Sequence, residues 1–370
     1  MKYIGIVSYN IHCNFTNYGS ALQSWALYTA IGKLGYNAKL IDYCPGILKK
    51  ANVLNPIENM WDTNEEIKKD CEMSLPAIEI NYKKFNNFYN TKFKKTKKTY
   101  DKNNFNLIKE DEDINKFVCG SDTIFCINEF GFDDGYYANY NIMKNNSFSY
   151  AASFGDATFD ATSLETLKVL LKNFNSLGIR ENLMIPFIQK NVTEKVRRVI
   201  DPTLLLEKED YKILEEERTV EGKYILLYSR RKNDLMTKYA EQMAKEKNCK
   251  IVEISLQARN KEIREMAYDA GVGEFLSLIK NAEFVVTNSY HGMIFSVIYE
   301  KEFVIFSREQ CNNKIEELLE SFDLKDRLLI TGEETYKKTI DYNQIKQNIK
   351  LFKKKSWDFL RENLENHKEG

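Results

Sequence analysis

The chain is short of histidine, has no paired-cysteine motif, no long apolar run and no surplus of charge, and each shortage closes a route. Lys+Arg and Asp+Glu stand at 54 each in 370 residues, so the formal net charge is zero. A protein that grips nucleic acid by neutralising phosphates needs a basic excess, so no nucleic-acid partner is expected, although a local basic cleft fits the balance. Seven cysteines (Cys13, Cys44, Cys71, Cys119, Cys126, Cys249 and Cys311) form no CxxC pair and their number is odd. That pattern predicts a reduced, cytoplasmic protein and lacks the ligand spacing of a zinc site; no metal is expected. No window approaches the ~20 apolar residues that span a bilayer, and no amphipathic anchor stands out. Membrane association is therefore expected to be at most peripheral, at the inner face. Met1 to Val7 reads as a short strand, because the long apolar core and small-residue cleavage site of a signal peptide are missing. No Gly-x-Gly-x-x-Gly follows a strand, so the dinucleotide fingerprint is absent.

What is present is a globular composition, 43% hydrophobic and 29% charged. A chain of 370 residues exceeds one ordinary core, and two domains of roughly 150 residues or more follow as the prior. Tyr3 to Ser8 alternates like a strand. A polar loop, Asn10 to Gly19, precedes a helical pattern over Ser20 to Gly32, with Leu22, Trp25, Ala26, Thr29 and Ala30 on one side and Ser20 as N-cap. A second strand follows at Asn37 to Tyr43, completing a β-loop-α-β unit.

Residues 47 to 115 are Lys-, Asn- and Glu-rich and read as an insertion of charged surface helices. Within it, Lys83 to Lys98 interleaves aromatics with lysine, which suits an amphipathic helix better than an RNA surface. Short apolar strands then recur at Phe117 to Gly120, Phe148 to Ala151, Leu177 to Arg180 and Val199-Ile200, each ending in a small-polar or charged turn. That is the sequence of a row of parallel strands with functional C-terminal loops. Glu207 to Glu221 carries the crossover. A second α/β unit follows, with strands at Tyr224 to Tyr228, Ile251 to Ile254, Glu283 to Thr287 and Phe303 to Phe306. Helical patterns cover Glu274 to Asn281, 312 to 322 and 343 to 365. The expected fold class is α/β: two Rossmann-like domains, residues 1–205 and 206–340, facing a cleft. A C-terminal helix and tail, 341–370, is long enough to fold back across both.

The most informative stretch is Val285-Val286-Thr287-Asn288-Ser289-Tyr290-His291-Gly292. A buried strand halts at a polar cluster, and a helix-compatible run, Met293 to Tyr299, follows. His291 thus sits where a parallel strand feeds a helix, the end of an open α/β sheet that faces the ligand crevice, beside helix N–H groups suited to anions. Of three histidines in the chain, only this one has such a place.

Taken together, several motifs resemble the polysaccharide pyruvyl transferase family, over nearly the whole chain. They are Asn17-Tyr18-Gly19-Ser20-Ala21-Leu22-Gln23, Gly120-Ser121-Asp122, Ser149-Tyr150-Ala151-Ala152-Ser153-Phe154-Gly155, Ile179-Arg180-Glu181, Asp201-Pro202-Thr203-Leu204-Leu205 and Asn288-Ser289-Tyr290-His291-Gly292. Their order and spacing carry the resemblance. It implies a GT-B-like fold and transfer of a pyruvyl group from phosphoenolpyruvate to two hydroxyls of a sugar, forming a ketal on a cell-surface polysaccharide precursor. The expected partners are phosphoenolpyruvate, as co-substrate with no other cofactor, and a saccharide acceptor of free or lipid-linked form. A GT-B glycosyltransferase using a nucleotide sugar and a non-catalytic saccharide-binding protein are the alternatives.

Ketal transfer needs an acid/base group, cations for a phosphate and a carboxylate, and contacts to the acceptor. His291 is the acid/base candidate, since imidazole titrates near neutrality. Arg180 looks like the family's anion ligand, and a guanidinium suits bidentate contact with phosphate or carboxylate. Glu181 either orients Arg180 or acts as base. Many relatives carry an arginine where this chain has Ser289. Arg230, Arg231, Lys301 and Arg308, at or near strand ends, are candidates for the missing charge, with Ser289 and Gly292 at the helix start. Asn17, Tyr18, Gly19, Gln23 and Asp122 are acceptor-side candidates: Tyr18 to stack on a sugar, Gly19 to admit a ligand, Asp122 to accept from a hydroxyl or cap a helix. Asn17 and Gly19 equally serve to shape the turn. Asp201, before Pro202, reads as a structural turn at the domain linker.

Overall fold

The computed structural model describes residues 2–54, 65–127, 132–155, 159–229, 233–255, 265–307, 312–334, 336 and 339–365. The apolar runs form two sheets. Strands β1 (Tyr3–Val7), β2 (Ala38–Leu40), β3 (Ile114–Cys119), β4 (Ser147–Ala152), β5 (Ser176–Ile179) and β6 (Val196–Arg198) pair in the order β2-β1-β3-β4-β5-β6. Strands β7 (Tyr224–Tyr228), β8 (Lys250–Ile254), β9 (Glu265–Met266), β10 (Phe284–Thr287), β11 (Phe303–Phe306) and β12 (Leu328–Leu329) pair in the order β12-β11-β10-β7-β8-β9. All pairings are parallel. The inner strands are buried on both faces, which is why they read as unbroken apolar runs rather than alternating ones.

Strand order reverses between β1 and β3 in the first sheet and between β7 and β10 in the second. Such switch points open a crevice at the carboxyl ends of the flanking strands. Val7 lies level with Cys119 at one of them, and Thr287 level with Tyr228 at the other. The loops that leave β3 and β10 contribute to the site described below, together with residues that follow β5 and β6.

Ten helices are described: α1 (Tyr18–Lys33), α2 (Glu65–Lys92), α3 (Ile108–Glu112), α4 (Ala161–Leu171), α5 (Ile185–Asn191), α6 (Asp234–Lys247), α7 (Val272–Asn281), α8 (Tyr290–Ile298), α9 (Asn312–Phe322) and α10 (Tyr342–Glu365). Helix α1 starts earlier than its apolar pattern predicts. Its cap is Asn17, not Ser20: Asn17 Oδ1 accepts from the N–H of Gly19 (3.0 Å) and of Ser20 (3.3 Å). Ser20 therefore lies inside the helix, with its hydroxyl free to reach across the first sheet. Helix α2 is amphipathic as expected, and Ile78, Phe85, Phe88 and Tyr89 on it are buried. It is more than a solvated face, because Lys84 pairs with Glu274 and Asp269, and Asn81 Nδ2 donates to the Ala270 carbonyl, all near the start of α7.

One apolar core runs from the first unit into the second. Tyr18 stacks on Phe275 with centroids 4.5 Å apart, Trp25 leans on Tyr211 at 5.6 Å, and Tyr211 meets Phe295 edge-on at 5.1 Å. Helix α10 closes the assembly. At its start Lys346 pairs with Glu300 at 2.6 Å and the Tyr342 hydroxyl donates to the Lys301 carbonyl. Further along, Ser356 Oγ accepts from the Ile200 N–H at 2.9 Å, and Phe359 packs on Tyr150 beneath the first sheet. The helix folds back across both units, as its length predicted. Among the described residues no helix is long and apolar enough to cross a membrane.

Candidate active site

The first unit supplies a carboxylate pair and an arginine. Asp122, in the loop after β3, is buried; its Oδ2 accepts from Ser20 Oγ at 2.6 Å and its Oδ1 from the Thr123 N–H at 2.9 Å. It ties the β3 loop to α1 and caps no helix. Burial pushes its carboxyl up, but Arg180, His291 and Lys314 together outweigh that and hold it below the usual aspartate range. Gln23 is fully buried behind it. Its Oε1 accepts from the Ser121 N–H (2.9 Å) and its Nε2 donates to Ser8 Oγ (2.9 Å), so it braces the loop and touches no open space.

Arg180 follows β5, and its Nη2 lies 2.7 Å from Asp201 Oδ2 and donates to Ser121 Oγ. The Tyr290 ring centre stands 5.2 Å from its guanidinium carbon. Burial works against the Arg180 charge, but Asp201 and its other neighbours raise its pKa above the ordinary value. Glu181 does not orient Arg180. Its carboxylate instead accepts from Ser153 Oγ and from the Phe154 N–H (3.3 Å), and burial pushes its pKa up.

The second unit supplies His291. It lies inside the first turn of α8 rather than in the turn before it, because Ser289 is the N-cap: Ser289 Oγ accepts from the Gly292 N–H at 3.2 Å. Ser289 and Gly292 thus spend their polar groups on starting the helix, and a Cβ at Gly292 would collide with Thr287 Oγ1 at 2.5 Å. The imidazole Nε2 points to Asp201 Oδ2 at 3.5 Å. Nε2 is buried and, at that distance, makes no hydrogen bond of good geometry with a described residue, while Nδ1 lies over Gly19.

Asp201 therefore joins the two units. The turn expected there exists, since Asp201 Oδ1 accepts from the Thr203 N–H (2.9 Å) and Oγ1 (2.6 Å). The turn is only half of its role: Oδ2 stands within ion-pair range of both Arg180 and His291. Burial raises its pKa, yet Arg180 first and His291 second pull it far below the usual range. Beside it a small cleft is lined by Arg180, Arg198, Asp201, Tyr290, Lys314 and Phe352, among others.

The structure separates other candidates from this cluster. Tyr18 does not offer a stacking face, because its ring is sandwiched in the core and its hydroxyl donates to the Ala270 carbonyl at 2.7 Å. Asn17 is the α1 cap. Lys301 precedes β11, at the edge of the second sheet opposite His291, so it cannot serve the site. Arg230, Arg231 and Arg308 lie outside the described residues. Gly19 admits a side chain of the protein: a Cβ there would sit 2.1 Å from His291 Nδ1. Gly19→Ala is accordingly expected to displace the imidazole, at a stability cost of about 1–3 kcal/mol. That cost should vanish when His291→Ala is added. Thermal melts of the single and double variants check it; equal costs in both backgrounds would show that the two residues do not press on each other. The sequence alone does not mark Asp201, Tyr290 or Lys314 as site residues.

Two Rossmann-like units whose switch-point loops confront each other across a cleft define a GT-B-like α/β protein. The UDP complex of S. aureus MnaA shares this fold, with a TM-score of 0.51, 13% identity, and coverage of 98% of this chain and 91% of that one. UDP-GlcNAc 2-epimerase of Neisseria meningitidis bound to UDP-GlcNAc is also similar, at TM-score 0.47 and 9% identity, covering 99% of this chain and 100% of that one. ADP-heptose LPS heptosyltransferase II of E. coli follows at TM-score 0.37 and 11% identity, covering 96% and 99%. No curated protein sequence matches the chain. The polysaccharide pyruvyl transferase family model matches residues 17–310, most of the chain, which belongs to that family.

Proposed function

We propose that the protein transfers a pyruvyl group from phosphoenolpyruvate to two hydroxyls of a sugar in a cell-surface polysaccharide precursor, in the cytoplasm. The observation that carries the reading is the meeting of Arg180 and His291, from different sheets, on the buried carboxylate of Asp201. Family membership supports it. In this reading Asp201 orients the imidazole through Nε2, and Nδ1 delivers a proton to the methylene carbon of the enol phosphate. The adjacent carbon becomes electrophilic, a sugar hydroxyl adds, phosphate leaves, and the second hydroxyl closes the ketal. The protons released by the two hydroxyls balance the one gained by the methyl group and the one carried off with phosphate. Arg180 neutralises the donor's negative charge as it moves onto the leaving group. No further cofactor enters, and the acceptor is free or lipid-linked.

The test is incubation with phosphoenolpyruvate and a panel of free and lipid-linked glycans. Phosphate release matched by a carboxyethylidene ketal on the acceptor is the expected result. Sugar transfer from UDP-sugars without use of phosphoenolpyruvate would replace this reading with a glycosyltransferase. Glycan binding without use of either donor would replace it with a binding protein.

A further inference from the structure

The lysine-rich run that leaves α2 has no part in the scheme above. Residues 92–102 hold six lysines and one acid, Asp101, in a chain of zero net charge. Its aromatic residues offer no stacking platform to a nucleic acid, because Phe93 and Tyr100 are buried, as is Phe105 just beyond. What faces outward is lysine and aliphatic carbon. Lys50, Lys97 and Lys102 are exposed, and Ile47 and Leu107 are 50% and 52% exposed.

These residues are tied into one rim. Residues 94–100 continue the first sheet beyond β2, meeting its strand in parallel at Leu40↔Lys95 and Tyr43↔Tyr100. The chain that leaves β2 is held against them: the Cys44 N–H donates to the Tyr100 carbonyl at 2.9 Å, and Lys49 pairs with Asp101. That brings Ile47 and Lys50 to the Lys102 side. The turn towards Leu107 is held by Asn104, whose Nδ2 donates to the Thr99 carbonyl at 3.1 Å. Acids beside the rim are already taken. Asp111 pairs with Lys98 at 2.7 Å, Asp42 stands 3.7 Å from Lys95, and Glu112 is buried against Lys39 at 2.8 Å. Lys97 to Lys102 runs along the carboxyl end of β2, the end of the sheet on which the crevice opens.

We propose that this rim docks the protein on an anionic lipid bilayer. Lysines held near a negatively charged leaflet are drawn to it, and aliphatic side chains set among them enter the headgroup layer. A nucleic acid would use the charge but has no use for the two aliphatic groups. Docking in this orientation turns the first unit's side of the crevice towards the bilayer. Joined to the pyruvyl reading, and resting on it for this point alone, it makes the acceptor lipid-linked.

Co-sedimentation of the whole protein with vesicles tests it, using phosphatidylcholine alone and phosphatidylcholine carrying about one-third phosphatidylglycerol. The wild-type protein is expected to sediment with the anionic vesicles only and to be released by high salt. Lys50→Gln, Lys97→Gln and Lys102→Gln together should weaken binding about 100-fold. Ile47→Ser with Leu107→Ser should weaken it about 10-fold. Both variants should melt as the wild type does, since they alter only exposed side chains. The same lysine-to-glutamine change at Lys350, Lys354 and Lys355 of α10, which are also exposed, should leave binding within a factor of about two. Wild-type protein that stays in solution with the anionic vesicles overturns the proposal. So does equal binding to neutral vesicles, or an equal loss from the α10 variant. Single-stranded RNA held more tightly than the vesicles, by the same lysines and without help from Ile47 and Leu107, would make the rim a nucleic-acid surface instead. Sedimentation needs no turnover, so the docking is judged apart from the pyruvyl reading.

Discussion

His291→Gln is expected to lower kcat about 10²- to 10⁴-fold while leaving the affinity for phosphoenolpyruvate nearly unchanged. Glutamine keeps a donor towards Asp201 and a similar reach over Gly19, but it cannot carry and release a proton near neutral pH. An imidazole is a general acid/base by nature, and glutamine is not. Loss confined to kcat marks an interaction made in the transition state, whereas a rise in KM alone marks uniform binding. Steady-state kinetics with phosphoenolpyruvate and a competent acceptor separate the two. Full activity in His291→Gln would remove the imidazole from the chemistry.

Asp201→Asn is expected to destabilise the fold by about 3–5 kcal/mol at neutral pH, the usual cost of breaking a buried ion pair from one side. Asparagine has the right shape for the Thr203 turn but leaves the Arg180 charge facing a neutral amide. The effect has a pH signature. The Asp201 carboxyl titrates far lower in the fold than in the unfolded chain, where it titrates near ~3.9. Its contribution is therefore complete above about pH 4 and is lost as the pH falls below that towards the folded value. Urea unfolding of both proteins from pH 7 to pH 3 should show a gap that is constant at first and narrows below about pH 4. A gap under ~1 kcal/mol at neutral pH would mean that Arg180, Asp201 and His291 behave as separate groups.

Much of this architecture was legible in the sequence. The parallel strands stand out because both of their faces are buried, so their apolar runs are unbroken. Helix α9 is expected at 312 to 322 and observed at Asn312–Phe322, because its apolar stripe is narrow and regular. Helices α1 and α8 start earlier than their apolar patterns for one reason: their first turns, Tyr18-Gly19-Ser20 and Tyr290-His291-Gly292, carry no regular aliphatic stripe. His291, Arg180 and Asp122 were visible as polar residues at strand ends. Asp201 was misread because Asp-Pro-Thr already explains itself locally, and nothing in that motif says which distant cations it meets. Lys301 is close to a strand, but it precedes β11 and so lies at the strand's starting end, away from the crevice. Lys314 carries no signal, since a lysine on an amphipathic helix looks like any solvated charge.

The apolar seam from Trp25 and Tyr18 through Phe275 to Phe295 also constrains how the molecule can work. Relative motion is the default for linked units only when the surface between them is small or polar. Prising this seam apart to expose even ~400 Å² of hydrocarbon would cost about 10 kcal/mol, comparable to the whole stability of an ordinary fold. Wide swinging of the two halves is thus too expensive to occur in each turnover. Whatever reaches the cleft must enter and leave through a jaw of nearly fixed gape.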